Sequence, residues 1–408
     1  MRIWIINYYT SVDCANPRYN KLTRYFIDAG HEVITFNAGR TSNIDEEEYK
    51  GKKFVEKQYG DYKFVHIRVP DFEGNGIKRM ASIWKFARNI LKDAHCFERP
   101  DVILHNIHPP FDYPIVKLAK KLKCKYIAEA WDLWPEDFVT FGLIGKNNPV
   151  LKVAYAIEKK YYYAADEIIF TFLGAFDYLK KKCWTTETSG KIDMRHVHYI
   201  NNGIDLDEFD YNVCAFRRLD TDLNDPDLIK IVYLGSINKA NNVKTLIDAA
   251  ALMQDMPNYR FFIYGDGVYR EELEQYVKSS HIDNIVFKEK HIALEECAWV
   301  VSQATVNVMN YEKNFGWAGV SSGKMFQYLA AGKPIVCNID IAYDNVIEDN
   351  NLGVAHDLDT AEDFALAIRS LIEQPRASYD AMCERVREVA KRFDYKVLAA
   401  EELKVIES

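Results

Sequence analysis

IKIVYLGSINKANNVKTLIDAAALM, residues 229–253, runs from an apolar stretch through a glycine and a polar loop into a helical stripe. Ile231, Val232, Tyr233 and Leu234 are consecutive apolar residues, the pattern of a strand covered on both faces, as in parallel sheets. Gly235 ends the run. Val243, Leu246, Ile247 and Ala250 then recur at helical spacing. The chain opens in the same order: an apolar run at 3–8, turn-forming residues at 9–17 (YTSVDCANP), a helical period at 18–29, Gly30, and the strand HEVITF at 31–36. Strand, loop, helix, strand is how a doubly wound sheet begins. Its recurrence predicts an α/β protein of two doubly wound, Rossmann-like domains. The expected boundaries are 1–205 and 229–392, with the polar segment 206–228 as a linker. Ligands of such sheets bind beyond the carboxyl ends of the strands, which points to the loop at 11–16 in the first domain. Taken alone, the opening is only a βαβ unit.

The 408 residues exceed one typical domain, and 48% hydrophobic with 27% charged residues is a globular balance. A net charge of −8 argues against a general nucleic-acid binder, which needs a basic surface. The eight cysteines are dispersed without a CxxC pair, as expected for small buried residues in a reducing compartment. No His/Cys cluster has zinc spacing, and the prolines after His105 and His108 (HNIHPP) make that pair a loop rather than a metal-binding helix face. MRIWIINYY is too short for a signal peptide, and no run of about 18 apolar residues exists. The expected location is cytoplasmic.

Three stretches carry chemistry. In VSSGKMFQYLAAGKPIV, residues 320–336, small residues precede a helix whose start carries Lys324, and Gly332 and Pro334 stop it before the strand IVC. The helix start with its lysine suits phosphate; the plainer alternative is a buried helix with a solvated lysine. In WDLWPED, residues 131–137, Asp132 lies between Trp131 and Trp134. Indole faces stack on sugar C–H groups and a carboxylate accepts sugar hydroxyls, or else Asp132 caps a helix beside core aromatics. His108 sits at a strand end, where substrate can meet it. Residues 77–92, IKRMASIWKFARNILK, set Met80, Ile83, Trp84, Ala87, Ile90 and Leu91 against Lys78, Arg79, Lys85, Arg88 and Lys92 with no acid between Ile77 and Lys92. Such a basic amphipathic helix has either a solvated face or contact with anionic lipid. GDG at 265–267 lacks the third glycine of a dinucleotide fingerprint.

KMFQYLAAGKPIV resembles the donor-binding helix of retaining glycosyltransferase family 4. DLWPE resembles the surface-polysaccharide branch of that family, and AGHEV (29–33) and NNGID (201–205) resemble its corresponding strand and turn. The resemblance implies a GT-B fold, with two domains facing across a cleft and the last helix, 393–408, returning to the first. It implies transfer, with retention, of a hexosyl or N-acetylhexosaminyl group from a UDP- or GDP-linked donor, with no metal or cofactor. The implied acceptor is a saccharide or a polyprenyl-diphosphate saccharide, met at the inner face of the membrane. By the same resemblance Asp132 and His108 face the reacting centre, and Lys324, Ser236 and Gly323 hold the diphosphate. Gln327 meets the ribose, Val320 and Ser321 face the donor sugar, and Asn238 and Gly265 border the donor. Ala15, Asn16 and Arg18 lie in the N-terminal loop near the diphosphate. The sequence departs from the family at four places. Gly319 and Gln327 stand where the family carries two glutamates, and Ser236 and Asn241 stand where relatives carry Arg and Lys. Two alternatives stay open: a sugar-nucleotide epimerase of related fold, and a non-catalytic partner in a polysaccharide assembly complex.

Overall fold

The computed structural model describes residues 1–12, 18–72, 74, 76–313 and 315–408. It forms two compact units, Met1–Asn201 with Leu398–Ser408, and Asn202–Val397. The first is built on strands β1 (Arg2–Ile6), β2 (Glu32–Ala38), β3 (Phe54–Tyr59), β4 (Tyr62–Ile67), β5 (Val102–Asn106), β6 (Lys125–Ala130), β7 (Glu167–Phe170) and β8 (Val197–Tyr199). Their spatial order is β3-β4-β2-β1-β5-β6-β7-β8. Every neighbouring pair is parallel except β3 with β4, an edge hairpin whose two-residue turn uses Gly60 at φ +58°. β1 lies inside the sheet, so Ile3, Trp4, Ile5 and Ile6 are all buried, and the Trp4 ring packs on Phe36 at 4.8 Å.

The strand order of this unit reverses between β1 and β5, so the loops leaving those two strands part and leave a crevice. Tyr9 and His108 lie on those two loops, and Asp132 follows β6.

The second unit carries β9 (Ile229–Leu234), β10 (Tyr259–Tyr264), β11 (Ile285–Phe287), β12 (Val306–Met309), β13 (Ile335–Cys337) and β14 (Gly353–Ala355), all parallel, in the order β11-β10-β9-β12-β13-β14. Alternate residues of β13 feed opposite cores. Val336 joins Leu246, Phe364 and Ile368, while Ile335 and Cys337 join Met325, Leu329 and Val386. Here the order reverses between β9 and β12, and the helix Gly323–Ala331 follows the loop that leaves β12.

Two expectations change. The segment expected as linker opens with a helix, Leu206–Ala215, capped by the Asp205 carboxylate on the Glu208 N–H at 3.0 Å. Its Leu206 and Phe209 are buried with Met325 and Leu329. The acidic surface residues of DLDEFDYN hide an i, i+3 apolar pair. Beyond it, Asp220 and Asp222 are acidic because they grip the Lys288 ammonium, at 3.0 and 2.6 Å. The basic helix forms at Ile77–Asp93, but its buried stripe is Ile83, Phe86, Ala87 and Ile90. Trp84, expected inside, is 45% exposed, with the Arg88 guanidinium 5.0 Å over its ring. Phe86 at i+3 from Ile83 shares its face; Trp84 at i+1 cannot.

Candidate functional site

In the second unit the site is built at the reversal point. β9 ends at Leu234, and at Gly235 an added Cβ would stand 3.0 Å from Lys324 Cδ and 3.1 Å from its Nζ. Gly265, φ +124°, follows the end of β10, and a Cβ there would stand 1.9 Å from the Gly235 carbonyl oxygen. Two glycines thus let the strand ends close up and admit the Lys324 stem beside them. Ser322, the N-cap of the Lys324 helix, makes no side-chain capping bond, so the helix start keeps main-chain donors for an anion.

Lys324 Nζ donates to Asn241 Oδ1 at 2.6 Å and to Tyr233 Oη at 3.3 Å, and lies 4.8 Å over the faces of Tyr233 and Tyr311. No carboxylate pairs with it among the described residues. Burial therefore dominates and brings its pKa down to about 7. Asn241 is fixed in turn. Its Nδ2 donates to Ser236 Oγ and to Asn238 Oδ1, each at 2.9 Å, and its carbonyl accepts from Asn310 Nδ2 at 2.9 Å. Ser236, Asn238, Asn241 and Lys324 thus form one cluster. The Asn241 amide oxygen seats the ammonium that Lys324 brings from the later helix.

Gln327 lies one turn beyond Lys324. Its Oε1 is buried with no hydrogen-bond partner among the described residues, an acceptor suited to a ligand hydroxyl. Gly323 sits at the helix start with open space around it. Ser321 is engaged, its Oγ and carbonyl accepting from Asn202 Nδ2 at 2.9 and 3.2 Å. Val320 turns its side chain into the core with Met325 and Phe326, away from the place at the donor sugar expected for it. Gly265 gives its N–H to the Glu289 carbonyl at 3.2 Å and its carbonyl to Arg270. Gly319, where the family resemblance places the first acid, has φ +108°, a conformation that residues with a Cβ rarely adopt.

In the first unit His108 is ringed by Tyr9 and Trp134, with ring centroids at 5.3 and 5.5 Å. Arg79 Nε donates to Tyr9 Oη at 2.8 Å, and its guanidinium lies 5.2 Å over Tyr9 and 5.9 Å over Trp134. The Asp132 side chain reaches solvent. The protein packed round it still pushes its carboxyl above the ordinary range, against the opposing charges of His108 and Arg79. Trp131 turns away, packing on Tyr19 at 5.1 Å, so Trp134 is the indole beside His108. Beneath His108, Asp112 Oδ2 accepts from the His108 N–H at 2.7 Å, from its Nδ1 at 3.3 Å and from His105 Nε2 at 3.1 Å. Tyr9 and Asp112 carried no expectation from the sequence, and Arg79 was expected only as part of the basic helix face. The four-residue step from His108 to Asp112 and the place of Tyr9 at the end of β1 were their signals.

Arg18 does not belong to this site. It is fully buried, donating to the Asn201 carbonyl at 2.6 Å, to Glu129 at 2.8 Å and to Glu402 at 2.9 Å, so no ligand reaches it. Its position at the start of a helix beside the loop suggested otherwise; its partners, distant in sequence, draw it inward. Ala15 and Asn16 lie outside the described residues.

Two family models match the chain, Glycosyltransferase Family 4 over residues 19–208 and Glycosyl transferases group 1 over residues 229–374. No curated protein matches the sequence. Among solved structures, sucrose-phosphate synthase from Thermosynechococcus elongatus aligns over 100% of this chain and 98% of its own, with TM-score 0.72 at 18% identity. HepE from Anabaena in complex with UDP-glucose aligns over 100% and 99%, with TM-score 0.64 at 14% identity. WaaG, a glycosyltransferase involved in lipopolysaccharide biosynthesis, aligns over 99% of each chain, with TM-score 0.66 at 15% identity. With one family model on each unit and a GT-B architecture throughout, the chain belongs to glycosyltransferase family 4.

Proposed function

We propose that this glycosyltransferase moves a sugar, with retention at the anomeric carbon, from a nucleotide-diphosphate donor to a saccharide acceptor carried on a polyprenyl diphosphate. The observation that carries the donor half is Lys324, a buried ammonium with no carboxylate partner among the described residues, at an uncapped helix start. A diphosphate supplies the missing anion, and the main-chain donors beside it stabilise the charge that builds on the leaving group. Ser236 and Gly323 border the phosphates, and Gln327 Oε1 accepts a ribose hydroxyl. His108 and Asp132 face the reacting sugar. The bond from C1 to the leaving phosphate oxygen breaks, a bond from C1 to the acceptor oxygen forms on the same face, and the acceptor proton departs with the diphosphate. HepE, of the same fold, is known with UDP-glucose, which favours a UDP-sugar.

Thermal unfolding against UDP-, GDP-, ADP- and dTDP-sugars tests the donor. A ligand at 100 times its Kd adds about 2.7 kcal/mol to the native state. A rise in Tm with one nucleotide class is the expected result. No rise with any of them overturns donor binding and favours the non-catalytic partner, in which Gly319 and Gln327 stand for discarded acids.

The lipid-linked acceptor rests on the helix Ile77–Asp93. No helix among the described residues is long and apolar enough to cross a membrane. This one instead exposes Ile77 and Trp84 among Lys78, Arg88 and Lys92, an apolar and basic face suited to anionic headgroups. Charge reversal at Lys85 and Arg88 should release the protein from phosphatidylglycerol vesicles in sedimentation; unchanged pelleting removes the membrane from the proposal.

A further inference from the structure

The Asp112 carboxylate holds four donors on two oxygens. Oδ2 takes the main-chain N–H and Nδ1 of His108 together with His105 Nε2, and Oδ1 takes Tyr161 Oη at 2.8 Å. Burial alone would raise its pKa, but the two imidazoles and their hydrogen bonds hold it well below the usual carboxylate range, so it stays ionised and can only accept. Each ring nitrogen that faces it must therefore carry a proton. For His105 this closes the ring's chemistry, since its Nδ1 is taken by Tyr126 Oη at 2.9 Å. His105 is thereby a spacer that braces Asp112 from behind, spent on both nitrogens. His108 differs. Its Nδ1 is committed to Asp112, while its Nε2 has no hydrogen-bond partner among the described residues, and the ring sits between Tyr9 and Trp134.

We infer that Asp112 is a positioning residue that fixes His108 as the Nδ1–H tautomer, so that His108 presents the Nε2 lone pair to a hydroxyl of the bound sugar. The inference rests on the reading that His108 faces the reacting sugar. An imidazole in the other tautomer would offer an N–H there and donate to the hydroxyl oxygen instead, so the tautomer decides whether that hydroxyl gives its proton to His108 or accepts one from it. Anchoring through the His108 main chain as well as its ring fixes the loop position and the ring together. The short step from His108 to Asp112 makes this possible.

The test is the histidine side-chain 15N spectrum of the whole protein at pH 8, where the protonated and bare ring nitrogens resonate far apart. Wild type should show His108 with Nδ1 protonated and Nε2 bare. Asp112→Leu, which keeps the branched shape and removes the acceptors, should mix the tautomers and lower kcat roughly 10- to 100-fold with the donor KM little changed. Asp112→Asn, which retains an amide oxygen for Nδ1–H, should recover most of both. A wild-type His108 protonated on Nε2 overturns the inference, even if the leucine variant fails to fold. The expected tautomer combined with full turnover in His108→Ala overturns the placement of His108 at the sugar, and with it the functional half of the inference. Asp112→Leu that loses donor binding altogether would mark Asp112 as a folding element and also overturn it.

Discussion

Lys324→Met should turn over its nucleotide-sugar about 10²–10³-fold more slowly than wild type, the usual cost of removing one charge-stabilising donor, and yet melt at a higher temperature. The two effects have one cause. The ammonium is enclosed by Asn241, Tyr233 and Tyr311 with no ion pair among the described residues, so the folded state holds it at a penalty. Methionine fits the same channel beside Gly235, and its sulfur suits aromatic walls. With its pKa lowered to about 7 from 10.5, native Lys324 has released a proton that the unfolded chain keeps between those values. This group's contribution to stability is thus least favourable below about pH 7, rises through the window from 7 to 10.5, and is then constant. Lys324→Met should lack that rise. A bound diphosphate favours the charged amine, so donor binding takes up a proton above pH 7 and affinity should weaken as pH increases from 7 to 9. Calorimetry in buffers of different ionisation enthalpy reads the proton directly. A variant that stays fully active, or wild-type donor affinity that is flat over that range, would show that Lys324 does not grip the diphosphate.

Arg18→Met should cost about 3–5 kcal/mol of stability, the range for stripping one partner from a buried ion pair. Arg18, Glu129 and Glu402 are all fully buried, and Tyr19 Oη donates to Glu129. Two carboxylates share one guanidinium, so burial and the second acid push Glu402 up to about 8 from 4.5. An acid raised in this way makes folding less favourable as pH climbs from about 4.5 to 8, because the unfolded chain ionises first. Glu402→Gln should flatten that decline while keeping an acceptor for Arg18. Urea melts of the three proteins at pH 5 and pH 8 decide it. Arg18→Met within about 1 kcal/mol of wild type would mean that neither glutamate is charged in the fold, since an unpaired buried carboxylate costs more than that.

The sheets were legible because parallel strands covered on both faces read as unbroken apolar runs, as at residues 3–6 and 231–234. Lys324 was legible because small residues, a lysine and a helix lie together in sequence. Arg18 was not. Its side chain turns inward to partners 111 and 384 residues away, and no local pattern shows them. Nor was Trp84, since apolar content alone does not choose between adjacent positions on a helix when Phe86 competes for the core. The helix at Leu206–Ala215 was masked by the charge of its solvent side. Val320 shows a different limit: proximity in sequence to a site says nothing about which way a side chain turns.

The left-handed backbone at Gly319 makes the two positions where the family resemblance places acids unequal. Gln327 is a single substitution from glutamate, in space that already admits an oxygen. Gly319 is not exchangeable in that way. Its N–H closes a turn on the Gly316 carbonyl at 3.0 Å, and at φ +108° any side chain strains the turn before a carboxylate can be aimed. Placing a carboxylate at 319 therefore means rebuilding the whole 316–319 turn, not exchanging one residue.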